Sequence, residues 1–390
     1  MARRRGQPAQ DCLDFGQPVE IASESVGRPP TARTFFRQKR EWSRMKDEIV
    51  GAYAQPYFAK VAHRLEPLRV VDGFAGPGMY DDGSCGSPLI LLEAAQRYAK
   101  GRYRATFVNN DREHHEALLG AVHAAGAGLE VECLCANCSE ALGHLAAQLP
   151  TSTDTLFLYL DPFGPSATPF AMVEPFLQRP ARFSTEIVIV LNITAMFRMA
   201  GSVAHHATLT RVLGGEEWRE HLGRGQRNDE ATVARLVEVY ADRFRQYGFL
   251  VGTCPIRKRR GLLANFYVLS ASRREDGILL MNDIMHNAYE RFLGETSGRL
   301  ALGAEHDEGE ALKQKVLDRV RESPGIHRER LWVDIVSHEF RRFSQKQFRA
   351  TVKDLVEGGY LRCESDTGRL NDRSRLVAPR PLVTEAPSDG

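Results

Sequence analysis

The chain has 390 residues, 52 Lys and Arg against 50 Asp and Glu, and 43% hydrophobic residues. That length exceeds a typical single domain, the apolar share is enough for an ordinary core, and a net charge of +2 gives no global electrostatic case for a polyanionic partner. No apolar run reaches the roughly 18 to 20 residues that span a bilayer, so no membrane role is expected.

Residues 1–34 are polar, contain Pro8, Pro18, Pro29 and Pro30, and read as a disordered tail; 381–390 read as a second one. The basic start lacks the apolar centre of a signal peptide, and seven cysteines, an odd number, suit reduced thiols, so a cytoplasmic location is expected. Residues 1–46 carry ten Lys and Arg against five Asp and Glu, with compact clusters at Arg3-Arg4-Arg5 and, later, Lys258-Arg259-Arg260. Solvated flanks or an anionic partner both account for them.

A helix is expected from near Thr34, because Trp42, Met45, Ile49, Tyr53 and Phe58 recur at helical spacing. Strands and helices then alternate. Strands are expected at 69–72, 105–108, 130–135, 155–160 and 186–191. Helices are expected at 88–98, 112–125, 139–149 and 169–177, the first with Ser87 as N-cap and Pro88 in its first position. This alternation predicts an α/β domain over 35–303 with a parallel, doubly wound sheet. Residues 208–247 read as helical. Two later apolar runs, 249–254 and 262–270, flank a basic turn and predict a hairpin that adds antiparallel strands at one sheet edge.

Residues 308–322, 327–338 and 344–358 read as three short helices, followed by β-like runs at 361–363 and 375–377. Three helices and a β-wing describe a winged-helix-like module over 304–380. Its third helix carries Lys346, Gln347, Arg349 and Lys353, suited to a phosphate backbone or a groove, although such modules also serve protein contacts.

In a doubly wound sheet, ligands bind outside the carboxyl ends of the strands where the strand order reverses. Asp72, Asp111, Asn137 and Asp161 all stand at such ends. Asp72 opens Asp72-Gly73-Phe74-Ala75-Gly76-Pro77-Gly78, a loop whose glycines let backbone amides approach a ligand closely. It suits the amino-acid part of a nucleoside cofactor. Asp111 can accept from two ribose hydroxyls, and Asn137, with Cys138 beside it, can read an adenine edge. Each is equally an ordinary N-cap or turn residue taken alone. The polar stretch 79–86 separates the glycines from the next helix, unlike a dinucleotide fingerprint, whose helix opens at the glycines. Asn192 and Arg198 are candidates for the substrate side or plain loop residues. Cys133, Cys135 and Cys138 have no second Cys/His pair at a zinc-ribbon spacing, so no metal site is expected.

Asp72 to Gly78, Gly86-Ser87-Pro88-Leu89 and Asp161-Pro162-Phe163-Gly164 resemble the three-Cys-motif partner protein (TcmP) family. So do Lys46 and Tyr53, Gly215 with Trp218-Arg219, and Tyr267-Val268-Leu269 followed by Gly277 and Met281. The likeness covers about residues 40–290 and leaves the C-terminal module outside. It implies a Rossmann-like class I methyltransferase sheet and S-adenosylmethionine contacts at Asp72, Phe74, Gly76, Gly78 and Asp111. Asn137 departs from the Asp that related methyltransferases often place there. The family's name records a genomic neighbour, and the three cysteines belong to that partner.

The segment 161–164 is also similar to the motif of tRNA guanine-N2 dimethyltransferases, and more distantly to the Asp-Pro-Pro-Tyr of amino-methylating nucleic-acid enzymes. By that likeness Asp161 and the Pro162 carbonyl accept the N–H bonds of an exocyclic amine while Phe163 stacks on its ring. The expected activity is methyl transfer to an amino group of a base in tRNA, rRNA or DNA. A non-catalytic methyltransferase-fold partner of a neighbouring protein, and a winged-helix DNA-binding protein, stay open beside it.

Overall fold

The structure, a computed structural model, describes residues 36, 39–148, 152–222, 229–257, 263–295, 301–364 and 370–378. The two expected tails and the basic clusters at 3–5 and 258–260 lie outside the described residues. The chain divides into two units, Met1–Gly277 and Ile278–Gly390.

In the first unit a leading helix, α1 (Glu41–Val61), precedes β1 (Leu68–Asp72), α2 (Ser87–Tyr98), β2 (Tyr103–Asn109), α3 (Arg112–Ala124) and β3 (Val131–Cys135). There follow α4 (Cys138–Gln148), β4 (Thr155–Leu160), α5 (Phe170–Leu177) and β5 (Thr185–Asn192). The leading helix starts later than its apolar spacing suggests, because Arg40 is extended and ends the approach segment. Ser87 is the first residue of α2 rather than its cap. The extended Gly86 takes the cap position without a side chain to offer, which leaves the Ser87 hydroxyl for Asp72.

Four helices, α6 (Ile193–Ala200), α7 (Val203–Leu213), α8 (Trp218–His221) and α9 (Glu230–Arg245), carry the chain to β6 (Leu250–Ile256) and β7 (Phe266–Ser272). The strand order is β3-β2-β1-β4-β5-β7-β6. The first five strands are parallel, and β7 runs antiparallel to both β5 and β6. The expected hairpin therefore forms at one edge of the sheet and joins it through antiparallel pairing. The helical connection delivers β6 to the outer edge in the direction of the first five, and only β7 is reversed, one place in. Every residue of β4 is buried, as in a parallel strand covered by helices on both faces.

The strand order reverses between β1 and β4, where Val71 and Asp72 pair with Leu158 and Tyr159. The ends of β1 and β4 thus flank the crevice that such a sheet opens at its carboxyl edge.

The helix α10 (Glu275–Glu295) crosses the division between the units, which falls before the boundary expected at 303. The second unit continues with α11 (Ala301–Glu322), β8 (Ile326–His327), α12 (Arg328–His338), α13 (Gln345–Glu357), β9 (Arg362–Glu364) and β10 (Arg375–Val377). Its three strands form an antiparallel sheet in the order β8-β10-β9. Leu312, Val316, Trp332, Phe348 and Leu376 centre its core, with Trp332 stacked on Phe348 at 4.8 Å. Leu279 packs against that core, and Asn282 ties α10 to it by donating to the Phe343 carbonyl at 2.8 Å. No described helix is long and apolar enough to cross a membrane.

Candidate functional site

The loop after β1 is built from its own backbone. Gly73 N–H donates to the Tyr159 carbonyl at 3.0 Å, and Ala75 N–H to the Val108 carbonyl at 2.9 Å. Asp72 is fully buried and braces the turn from beneath: its carboxylate accepts from Phe74 N–H at 3.0 Å and from the Ser87 hydroxyl at 2.6 Å. Burial pushes this carboxyl up to about 7 against the lowering effect of those two donors. Asp72 organises the loop and lines neither cleft described below. Gly76 and Gly78 adopt φ of +59° and +84°, which side chains resist. At Gly76 a Cβ would also press on the Phe36 ring, 3.0 Å away.

Two clefts open at this edge. The first is lined by the glycine loop from Phe74 to Tyr80, Gly86 and Ser87, by Asp161, Pro162, Phe163 and Asn192, and by residues of α1 with Phe36 and Phe266. The second lies over the ends of β2 and β3 and takes in Gly73, Phe74, Gly76, Asp111, Asn137 and Cys138. Phe74, Gly76 and Phe163 line both, so they form a wall shared by the two clefts. Phe163 is 62% exposed, with its ring edge-on to Phe36 at 6.1 Å.

Most of the residues expected to hold a nucleoside cofactor therefore meet in the second cleft, while Gly78 faces the first. Their caps are real as well. Asp111 Oδ1 accepts from His114 N–H at 2.9 Å to start α3, and Asn137 Oδ1 accepts from Ser139 N–H at 2.9 Å. The Asp111 side chain stays 47% exposed. Cys138 is buried beside Gly73, where a Cβ would lie 2.7 Å from its sulfur, and burial pushes its thiol up to about 12. It shapes the floor, and its burial disfavours the thiolate.

Asp161, Pro162 and Phe163 line the first cleft together. Asp161 is not unpartnered: Lys46 of α1 donates to its Oδ2 at 2.5 Å, and Tyr159 OH lies 3.4 Å from the same oxygen. The Lys46 side chain is 6% exposed and sits 5.2 Å over the Phe266 ring. Beside it, Lys39 and Asp47 form a second buried pair at 2.6 Å, and burial pushes the Asp47 carboxyl up to about 6 although Lys39 opposes the shift. Motif reading noted Lys46 only as part of a resemblance and missed Ser43, Asp47 and Trp42. The signal was there: Ser43, Lys46 and Asp47 interrupt the buried stripe of an otherwise apolar helix face.

Asn192 lines the first cleft and caps α6 through Ala195 N–H at 3.0 Å, whereas Arg198 lines a separate depression with Phe197 and Asn265. Lys346 and Arg349 lie on the exposed face of α13 in the second unit, Arg349 within 3.5 Å of Asp372.

No family model matches the chain, and no curated protein matches it. Solved structures do. An O-methyltransferase from Bacillus cereus in complex with SAH is 11% identical, with a TM-score of 0.33 over 57% of this chain and 80% of that one. A SAM-dependent methyltransferase from Agrobacterium tumefaciens is 12% identical, with a TM-score of 0.32 over 56% and 61%. The plantazolicin methyltransferase BpumL in complex with SAH is 11% identical, with a TM-score of 0.33 over 60% and 86%. Likenesses this weak carry no argument; the strand order and the paired clefts do.

Proposed function

We propose that the chain is an S-adenosylmethionine-dependent methyltransferase that acts on an amino group of a nucleic-acid base. The observation that carries this reading is the shared wall: two clefts meet at Phe74, Gly76 and Phe163, at the point where the strand order reverses. A donor molecule and an acceptor molecule need two such sites in contact, so that attack becomes effectively unimolecular.

The second cleft suits the cofactor. Its glycine loop leaves no room for side chains at Gly73 or Gly76, Asp111 supplies a carboxylate for a ribose diol, and Asn137 Nδ2 is a donor for a purine nitrogen. When bound, S-adenosylmethionine supplies an electrophilic methyl group on sulfonium. The chain's own part is to hold the acceptor. Phe163 offers a stacking face, and Asp161, whose recorded bonds fall on Oδ2, keeps Oδ1 to accept from an amine N–H. That bond shifts electron density onto a nitrogen whose lone pair is otherwise drawn into the ring, and it gives the departing proton an acceptor.

Titration calorimetry with S-adenosylmethionine, followed by radiolabelled transfer into tRNA, rRNA and DNA pools, tests the proposal. Binding and transfer are expected, and Phe163→Ala should cut transfer by about tenfold or more through lost stacking. Absence of cofactor binding would end the reading. Binding without transfer would favour a non-catalytic partner protein, which the Lys46 contact on Asp161 also suits.

We also read the second unit as a winged-helix-like module that helps dock the nucleic acid, on the support of its three helices and small antiparallel sheet. The pairing of Arg349 with Asp372 and of Lys353 with Glu357 already offsets part of the charge on α13. Lys346→Glu combined with Arg349→Glu should weaken binding to single-stranded oligonucleotides several-fold and flatten its salt dependence. Unchanged binding would remove the module from the interface.

A further inference from the structure

Lys46 has more hydrogen-bonding capacity than the protein uses. Its ammonium carries three donors, is almost fully buried, and has Asp161 as its one recorded hydrogen-bond partner among the described residues. One turn earlier on the same helix, Ser43 is 3% exposed, and its hydroxyl makes no well-formed hydrogen bond among the described residues, with only the Tyr80 hydroxyl close enough to interact with it. Both residues line the first cleft. Buried donors with unused capacity favour a ligand that supplies acceptors, and the rings of Phe36, Trp42, Phe163 and Phe266 line the same cleft.

We infer that Ser43 and Lys46 are the donor half of a reading edge in this cleft, with Asp161 as the acceptor half, for a planar heterocycle bearing an acceptor atom beside an amino group. The inference deepens the proposed function and rests on it for the identity of the reacting amine. The charges narrow the class. A phosphate or carboxylate would meet Asp161 and Asp47, and an aliphatic ammonium would meet Lys46. A neutral edge that accepts from Lys46 and donates to Asp161 satisfies both without displacing their mutual bond, because each keeps unused capacity. The aromatic walls require that edge to be flat. An amino-bearing base meets all of these conditions, either as a free nucleoside or within a strand.

The test uses the intact chain with and without saturating S-adenosylhomocysteine, following quenching of tryptophan fluorescence. Trp42 lines the cleft while Trp218 and Trp332 are buried. Three nucleosides are paired with analogues that lack the amino group: adenosine with purine riboside, cytidine with its 4-deamino form, and guanosine with inosine. At least one amino nucleoside should bind about tenfold or more tightly than its analogue, a difference of roughly 1.4 kcal/mol. Lys46→Met should remove that preference while leaving S-adenosylhomocysteine affinity unchanged, Lys46→Arg should restore part of it, and Ser43→Ala should weaken it by a smaller factor.

Short single-stranded oligonucleotides of each base distinguish the source. Binding in a strand but not as nucleoside supports the same edge and assigns it to a nucleic acid. No binding of either kind up to about 10 mM, no preference for the amino form, or a Lys46→Met chain that binds as the wild type does would each overturn the inference. Failure of S-adenosylhomocysteine to bind would instead sink the methyl-transfer reading, and the titrations without it would still decide this one.

Discussion

Replacing Asp161 by Asn is expected to lower the unfolding free energy by about 3 kcal/mol, and adding Lys46→Met to return most of that loss. The reasoning turns on which charge is left behind. Lys46 is 6% exposed, so without the carboxylate its ammonium stays in a low-dielectric site with no compensating charge at hydrogen-bond distance. The apolar Met side chain fills much the same volume and removes the stranded charge. Lys46→Met alone should cost less, because Asp161 is 23% exposed and keeps the Tyr159 hydroxyl near Oδ2. Urea unfolding of the wild type, both single variants and the double variant forms a complete cycle. A double variant as unstable as Asp161→Asn would show that the pair is not the source of the loss.

This pair also marks how far the sequence could be read. The alternation of strands and helices was legible because each element carries its own period and its own stop. β4, for example, is an unbroken apolar run that ends at Asp161-Pro162, and Gly76 and Gly78 mark a loop, to which the structure adds positive φ at both. The convergence of Asp161 with Lys46 was not legible as geometry. The two are 115 residues apart, and nothing local says which face of α1 covers the crevice. The same holds for β7, whose place between β5 and β6 depends on pairing rather than pattern.

Asp72 shows a different failure. Its residue type and position fit a ligand contact, yet the Ser87 hydroxyl, freed because Gly86 takes the cap position, turns the carboxylate inward. Asp111, Asn137 and Asn192 show that the two readings of a strand-end polar residue do not compete. One side-chain oxygen caps the next helix while the residue still lines a cleft.

The opposite end of the sheet gives the second large effect. Glu186, at the start of β5, is buried, accepts from Tyr53 OH and Ser272 Oγ at 2.7 Å each, and is pushed from 4.5 up to about 7, chiefly by burial. In the unfolded chain it ionises at its ordinary value. Below about pH 4.5 the residue is neutral in both states and costs nothing. As the pH rises towards 7 the unfolded chain releases its proton first, so stability is lost across that window and the loss levels off above it. A shift of this size corresponds to on the order of 3 kcal/mol. Asp72 and Asp47, raised to about 7 and about 6, act in the same direction. Glu186→Gln should therefore make the chain more stable at pH 8 and remove a large part of the difference between pH 5 and pH 8. The amide keeps one acceptor, and Ser272 can turn its hydroxyl to the Arg274 carbonyl, 3.2 Å away, while accepting from the new N–H. Urea midpoints at the two pH values check this. An undiminished difference in the variant would show that Glu186 ionises in the folded protein as readily as in the unfolded one.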